Sequence, residues 1–241
     1  MKNFFSTTGH SSNYENRGQV LLEQIAFELN DRESPTVLDI GCGDGIDGSS
    51  ELQQQVAAKT AHFWGVEPDD TVERMPYFDQ VWSSTLEGAD IPANSVDLAY
   101  SYMVLEHVES PHEFLNSLDR MLSPGGVFLS ITVNANSLFG LSSSLCHWLK
   151  IEDFLLPLLR GKQVTESYHY PAFNRLNSAR QFRACLNSES SLTAEFSYLE
   201  NGEIQSYFKG ALSPIGKCMS WISGTTPSLH TAMFVRLQKQ G

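Results

Sequence analysis

Cysteine, positive charge and long apolar runs are all scarce in this sequence, and each scarcity closes off a class of protein. Four cysteines occur, Cys42, Cys146, Cys185 and Cys218, with no CxxC pair and no ligand spacing. That argues against a disulfide framework or a cysteine metal site and fits reduced, structural thiols. No stretch reaches the roughly 18 uninterrupted apolar residues of a spanning helix. The opening MKNFFSTTGHSSNYENRG has no apolar signal core, so a soluble, cytoplasmic protein is expected. Lys and Arg number 16 against 28 Asp and Glu, a formal charge of −12. Wrapping a phosphate backbone needs a basic stripe that releases counterions, so a nucleic-acid partner is not expected. A small molecule, a lipid-like acceptor or a protein remains open, and so does a monomer or a homodimer.

What is present is enough for a packed core: 241 residues, 41% of them hydrophobic, which points to one domain. The acidity is lopsided. Residues 1–109 hold 19 acidic and 5 basic side chains, and the remainder holds 9 and 11. Leu22, Ile25 and Leu29 recur at helical spacing before a breaker at 30–35, predicting a leading helix. Short β-rich runs follow near 37–41, 62–67, 80–84, 96–101 and 127–133. Their alternation with helical patterns predicts crossover units and a parallel sheet. Ser110, Pro111 and Glu113 read as a capping box that opens a helix, with Phe114, Leu118 and Met121 on one face and Pro124-Gly125-Gly126 ending it. Ser178 and Gln181 repeat that box. Strands near 192–199 and 231–238 read as an antiparallel pair closing the sheet.

The most informative segment is Val37-Leu38-Asp39-Ile40-Gly41-Cys42-Gly43-Asp44-Gly45, an apolar strand followed by three alternate glycines that are expected to open a helix. Glycine lets a backbone turn sharply and approach a ligand where a Cβ would intrude. Twenty-two residues beyond Gly45, at the end of the next strand, stands Glu67, followed by Pro68. A carboxylate there can accept from both hydroxyls of a ribose, which indicates a nucleoside-containing cofactor. Gly43-Asp44-Gly45-Ile46-Asp47-Gly48 also fits the dinucleotide pattern GxGxxG. Its first glycine comes two residues late, and Asp44 and Asp47 would repel a pyrophosphate at the helix start. A cationic cofactor suits the acidic turn better, with Asp39 either orienting the turn or meeting an amino group.

Here the chain resembles the class I S-adenosylmethionine-dependent methyltransferases, particularly the small-molecule branch often called type 11. The glycine motif carries the likeness together with Glu67, Ser95-Val96-Asp97-Leu98, Leu105-Glu106-His107-Val108 and Leu122-Ser123-Pro124-Gly125-Gly126-Val127. The resemblance implies an α/β, Rossmann-like seven-stranded sheet with helices on both faces, an antiparallel last strand and a helical insertion after strand five. It implies S-adenosyl-L-methionine as cofactor and S-adenosyl-L-homocysteine as product. One domain would comprise a helical cap at about 1–34, a cofactor core at about 35–133, an apolar insertion at about 134–176 and a closing part at about 177–241. Cofactor contacts are expected from Asp39, Gly41, Cys42, Gly43, Gly45, Glu67, Pro68 and Ser101, from Glu87 with the Gly88 amide near the adenine, and from Arg17 near the methionine carboxylate. Asp97 reads as structural.

For chemistry, the reading is methyl transfer to a small or lipid-like metabolite, with O-methylation preferred. His107 follows strand four at the carboxyl edge of the sheet, where open α/β sheets bind ligands, and is the candidate base; a local packing role competes. His169 is the alternative base. Ubiquinone-biosynthesis O-methyltransferases resemble this stretch but carry an acid, used with metal, where Met103 stands here, so no metal site is expected. Tyr168, Tyr170 and Arg175, in a stretch similar to that preceding the late helix of some relatives, and Trp148 in the insertion are candidates for the acceptor pocket. Arg175 also suits a surface ion pair, and Asn177 a cap. The apolar density of 138–159 suggests a lid over a hydrophobic acceptor or a dimer surface, and nearby Lys150, Arg160 and Lys162 leave peripheral membrane contact open. The competing readings are an NAD(P)-dependent oxidoreductase and a non-catalytic member that only binds the cofactor.

Overall fold

The structure is a computed structural model that describes residues 16–137, 171–186, 190–199 and 213–241. Helix α1 (Arg17–Leu29) is capped by Asn16, whose side chain accepts from the Gln19 amide. Strand β1 (Thr36–Ile40), helix α2 (Ser50–Ala57) and strands β2 (His62–Val66), β3 (Gln80–Trp82) and β4 (Val96–Tyr102) follow. Then come α3 (Pro111–Met121), β5 (Leu122–Val133), α4 (Ala179–Cys185), β6 (Leu192–Leu199), α5 (Ser213–Thr225) and β7 (Ala232–Lys239).

All seven strands join one sheet in the order β3-β2-β1-β4-β5-β7-β6. The pairs among β1 to β5 are parallel, and β7 runs antiparallel between β5 and β6. The order reverses beside β1, between β1 and β4, which is where such sheets open a crevice beyond the strand ends. Strand side chains alternate between two cores. Leu38, Ile40 and Phe128 pack with Phe114, Leu118 and Phe182 of α3 and α4, while Val37, Val127 and Leu129 pack with Leu21, Ile25 and Val56 of α1 and α2. Each buried side chain of this size contributes about 1.5–3 kcal/mol. Helices therefore cover both faces, as expected from the sequence.

Three local expectations change. The helix after the glycine turn begins at Ser50, because Gly45, Asp47 and Gly48 have φ of +73°, +55° and +71°, values a right-handed helix cannot include. Ser110 occupies the N-cap of α3 but makes no side-chain cap bond, and Pro111 alone marks the start. The Pro124-Gly125-Gly126 stretch does not end α3. It lies inside β5, with Gly125 at φ +75°, where the pairing with β4 shifts between Val96 and Leu98.

Cys42, Cys185 and Cys218 carry free thiols. Among the described residues no helix is long and apolar enough to cross a membrane, and no group of His, Cys, Asp and Glu is placed to hold a metal. Of the helical insertion expected at about 134–176, residues 138–170 lie outside the described residues, and with them the expected lid, Trp148, Tyr168, His169 and Tyr170.

Candidate cofactor and acceptor cleft

The glycine turn leaves β1 under tight control. The Gly41 and Cys42 amides donate to the Val66 carbonyl at 2.8 and 3.3 Å. Gly41 has φ +77°, and a Cβ there would stand 2.5 Å from Val104 Cγ2, so only glycine fits without strain. The Gly43 amide donates to Glu67 Oε2 at 3.0 Å and the Asp69 amide to Glu67 Oε1 at 3.1 Å. Two backbone donors thus aim the carboxylate, and an ionised carboxylate accepts about four hydrogen bonds in all. Cys42, Gly43, Glu67 and Arg74 surround a small recess of about 20 Å³. Burial pushes the Cys42 thiol up, which leaves it un-ionised and inert as a nucleophile.

Asp39 does not face the cleft. It is 2% exposed, and its Oδ2 accepts from the Tyr100 hydroxyl at 2.5 Å and from Gln53 Nε2 at 2.6 Å. The same Gln53 nitrogen donates to the Cys42 carbonyl at 2.9 Å, and Tyr77 donates to Gln53 Oε1 at 2.5 Å. Of its two sequence readings, orienting the turn is the one the geometry supports. Burial, reinforced by the charge of Glu67, pushes the Asp39 carboxyl up to about 7 against the hydrogen bonds of Tyr100 and Gln53. Gln53 and Tyr100 were not singled out by sequence, and neither carries a motif.

A larger cleft of about 400 Å³ opens at the carboxyl ends of β1, β2 and β4. Gly41 and Pro68 form one side, Glu87 on a 3-10 turn forms a wall, and His107, Val108, Pro171 and Phe173 form the opposite side. The Gly88 amide is committed to the Thr85 carbonyl at 3.1 Å within that turn, so the expected adenine contact falls to Glu87. Ser101 is fully buried with its hydroxyl 2.8 Å from that of Ser130. It lies on β4 opposite Ser130 of β5 and does not line the cleft, a correction with a simple cause: alternation turns its side chain into the sheet's packing. Gly45 shapes the turn, where a Cβ would meet the Ser49 carbonyl at 2.6 Å.

His107 Nδ1 lies 3.0 Å from the Pro171 carbonyl. A carbonyl only accepts, so Nδ1 carries the hydrogen and Nε2 of the neutral ring carries the lone pair. Its neighbour Glu106 points inward, 3% exposed, and accepts from the Thr132 hydroxyl at 2.8 Å. Burial pushes the Glu106 carboxyl up, opposed by its hydrogen bonds, by His107 when that ring is protonated and by the charge of Arg17. Arg17, at the first turn of α1, thus acts on Glu106. Arg175 is exposed. It donates to the Glu109 carbonyl at 2.8 Å and lies 5.3 Å over the Phe173 ring, bracing the rim. Asn177 does not cap α4; Ser178 does, accepting from the Gln181 amide at 3.3 Å. Asp97 accepts from the Thr36 amide at 2.9 Å and from Ser123 at 3.0 Å, a structural role as expected.

Residues 14–196 match the sequence profile of the family described as "Methyltransferase domain". The chain belongs to that family. A ubiquinone biosynthesis O-methyltransferase of Erwinia tasmaniensis is 31% identical over 121 residues, 48% of this chain and 49% of that protein. The chain thus spans about half the length of the curated relatives it matches. Among solved structures, the YcgJ protein of Bacillus subtilis superposes with a TM-score of 0.56 at 15% identity, covering 92% of this chain and 99% of that one. A geranyl diphosphate C-methyltransferase from Streptomyces coelicolor, solved with Mg²⁺, geranyl diphosphate and S-adenosyl-L-homocysteine, superposes at 0.55 with 12% identity, covering 98% and 84%. Both likenesses establish the methyltransferase fold. The sequence-derived family and the seven-stranded architecture are borne out.

Proposed function

We propose that the protein transfers a methyl group from S-adenosyl-L-methionine to a small or lipid-like metabolite, with a hydroxyl oxygen as the preferred acceptor. The observation that carries this reading is the joint geometry of the glycine turn and Glu67: Gly41 lines the cleft of about 400 Å³ whose far side presents His107, and Gly43 and Glu67 line the small recess that Cys42 also borders. The residues fit the cofactor: a turn where Cβ atoms are excluded admits its close approach, and Glu67, aimed by two amides, suits a ribose diol. When bound, the cofactor supplies a methyl group already activated on a sulfonium. Pro68 and Glu87 wall the nucleoside side. His107, with its lone pair on Nε2, takes the proton of an acceptor hydroxyl, a contribution of about 10²- to 10⁴-fold. Holding acceptor and methyl in line supplies the larger share, up to about 7–11 kcal/mol.

The described chain resumes at Pro171 on the cleft, which supports assigning 134–176 to the acceptor side of one domain comprising the whole chain. Titration calorimetry with S-adenosyl-L-homocysteine tests the reading. Micromolar binding is expected, weakened about ten- to a hundredfold in Glu67→Ala, the worth of one or two charge-assisted hydrogen bonds. Tight NAD(H) binding with no response to S-adenosyl-L-homocysteine would overturn it.

A further inference from the structure

Glu106 is an expensive residue in an unexpected place. Its carboxyl is buried, and among the described residues neither Glu106 Oε1 nor Asn177 Oδ1, nearby in the same network, has a hydrogen-bond partner. Replacing buried ionic groups with apolar ones of similar volume is often neutral or stabilising, so stability alone does not account for a carboxyl here.

Its connections do. Asn177 Nδ2 donates to the Val133 carbonyl at 3.2 Å and to Thr132 Oγ1 at 3.0 Å. Since the Thr132 oxygen receives that hydrogen, its own hydrogen goes to Glu106 Oε2, 2.8 Å away. On the main chain, the Glu106 carbonyl accepts from the Phe173 and Asn174 amides at 2.8 and 3.0 Å. The segment 171–177 is therefore pinned at its middle by Glu106 and at its end by Asn177. At its start, the Pro171 carbonyl takes the hydrogen of His107 Nδ1.

We propose that Glu106 is a positioning residue: through Thr132 and Asn177, and through the Phe173 and Asn174 amides, it fixes the rim whose Pro171 carbonyl holds His107 with hydrogen on Nδ1 and the lone pair on Nε2. An unconstrained neutral histidine favours hydrogen on Nε2, the tautomer that removes the base from that nitrogen. Glu106 and His107 thus work as an inward and an outward half of one short turn, Leu105–His107. The task given to His107 rests on the methyl-transfer reading, whereas its tautomer does not.

The experiment is nitrogen NMR of the full chain with its seven histidines labelled, recorded at a pH where the imidazoles are neutral, with His107 assigned by its loss in His107→Asn. The wild type is expected to show hydrogen on Nδ1. Thr132→Val removes the hydroxyl at nearly constant shape and should move the tautomer ratio about tenfold toward Nε2–H, one hydrogen bond's worth; Thr132→Ser should restore it. Asn177→Ala, which releases only the end of the rim, serves if Thr132→Val does not fold. A wild type with hydrogen on Nε2, or a folded Thr132→Val or Asn177→Ala with unchanged tautomer, overturns the proposal. S-adenosyl-L-homocysteine binding to the same samples separates the two ideas. Intact binding with no tautomer change refutes the positioning role alone, and a tautomer change without binding refutes the methyl-transfer reading alone.

Discussion

Asp39→Asn should make the protein more stable near neutral pH, against the usual result of altering a fully bonded buried residue. The native carboxyl keeps its proton up to about 7, while in the unfolded chain it releases it near the ordinary 3.8. A carboxyl raised in this way contributes stability that is fully present below about 3.8 and lost as pH rises through about 7. The loss over that window is on the order of 4 kcal/mol, a large part of the roughly 5–15 kcal/mol that holds a domain folded. Asparagine is nearly the same shape, its carboxamide oxygen can accept from both Tyr100 and Gln53, and it never ionises. Urea unfolding of both proteins from about pH 4 to pH 8 isolates the effect, since every other titrating group is common to the two. The stability of the variant relative to the wild type should climb through this range and level off above about 7. Affinity for S-adenosyl-L-homocysteine should stay unchanged, because Asp39 is 2% exposed and reaches the turn only through Gln53, a bond that asparagine can also accept. A pH-independent difference, or one that falls as pH rises, would show that Tyr100 and Gln53 stabilise the ionised form more than burial destabilises it, and the reasoning would fail.

Two further substitutions probe the frame around the cleft. Gly41→Ala forces a side chain into φ +77° and to within 2.5 Å of Val104 Cγ2, so scanning calorimetry should show a loss of about 1–3 kcal/mol; adding Val104→Ala should recover only part of it, since the backbone strain remains. Arg236 Nε and a terminal nitrogen lie 2.8 and 3.2 Å from the two Glu28 oxygens, tying β7 to α1 with both side chains largely buried. Glu28→Ala should cost about 1.5–3 kcal/mol in urea unfolding, because the guanidinium keeps Glu195 and Gln238, each 3.1 Å from one terminal nitrogen, and Glu28→Leu with Arg236→Met should restore most of it.

The sheet was legible because its signals are local. Apolar strand runs, the helical spacing of Leu22, Ile25 and Leu29, and the Ser178–Gln181 cap all appear where they were expected. The errors were local as well, in the segments where backbone conformation departs from residue type. Asp47 at φ +55° and Gly125 at φ +75° redirect the chain after β1 and within β5. Neither a glycine-rich spacing nor a Pro-Gly-Gly string says whether a helix starts, a helix stops or a strand bulges.

The cleft was legible on one side only, and the difference lies in what makes each contact. The side proposed for the cofactor is built by side-chain type and by glycine at fixed spacing, which a sequence displays. The side proposed for the acceptor is built by main-chain carbonyls, those of Pro171 for His107 and of Glu106 for Phe173 and Asn174, and a carbonyl leaves no trace in residue type. The acidic first half needs a similar rereading. Its surplus suggested carboxylates serving a cationic cofactor, yet Asp97 holds the Thr36 amide, Asp79 the Phe63 amide and Glu67 the Gly43 amide. In each case the amide lies on or just beyond a neighbouring strand or turn, so these carboxylates clamp the parallel sheet around the crevice. Asp39, which holds a side-chain amide instead, is pushed toward neutrality by burial, with a smaller push from the charge of Glu67. The charge that seemed to describe a ligand describes first how the glycine turn is held still, and only Glu67 belongs to both accounts, because the amides that clamp it also aim it.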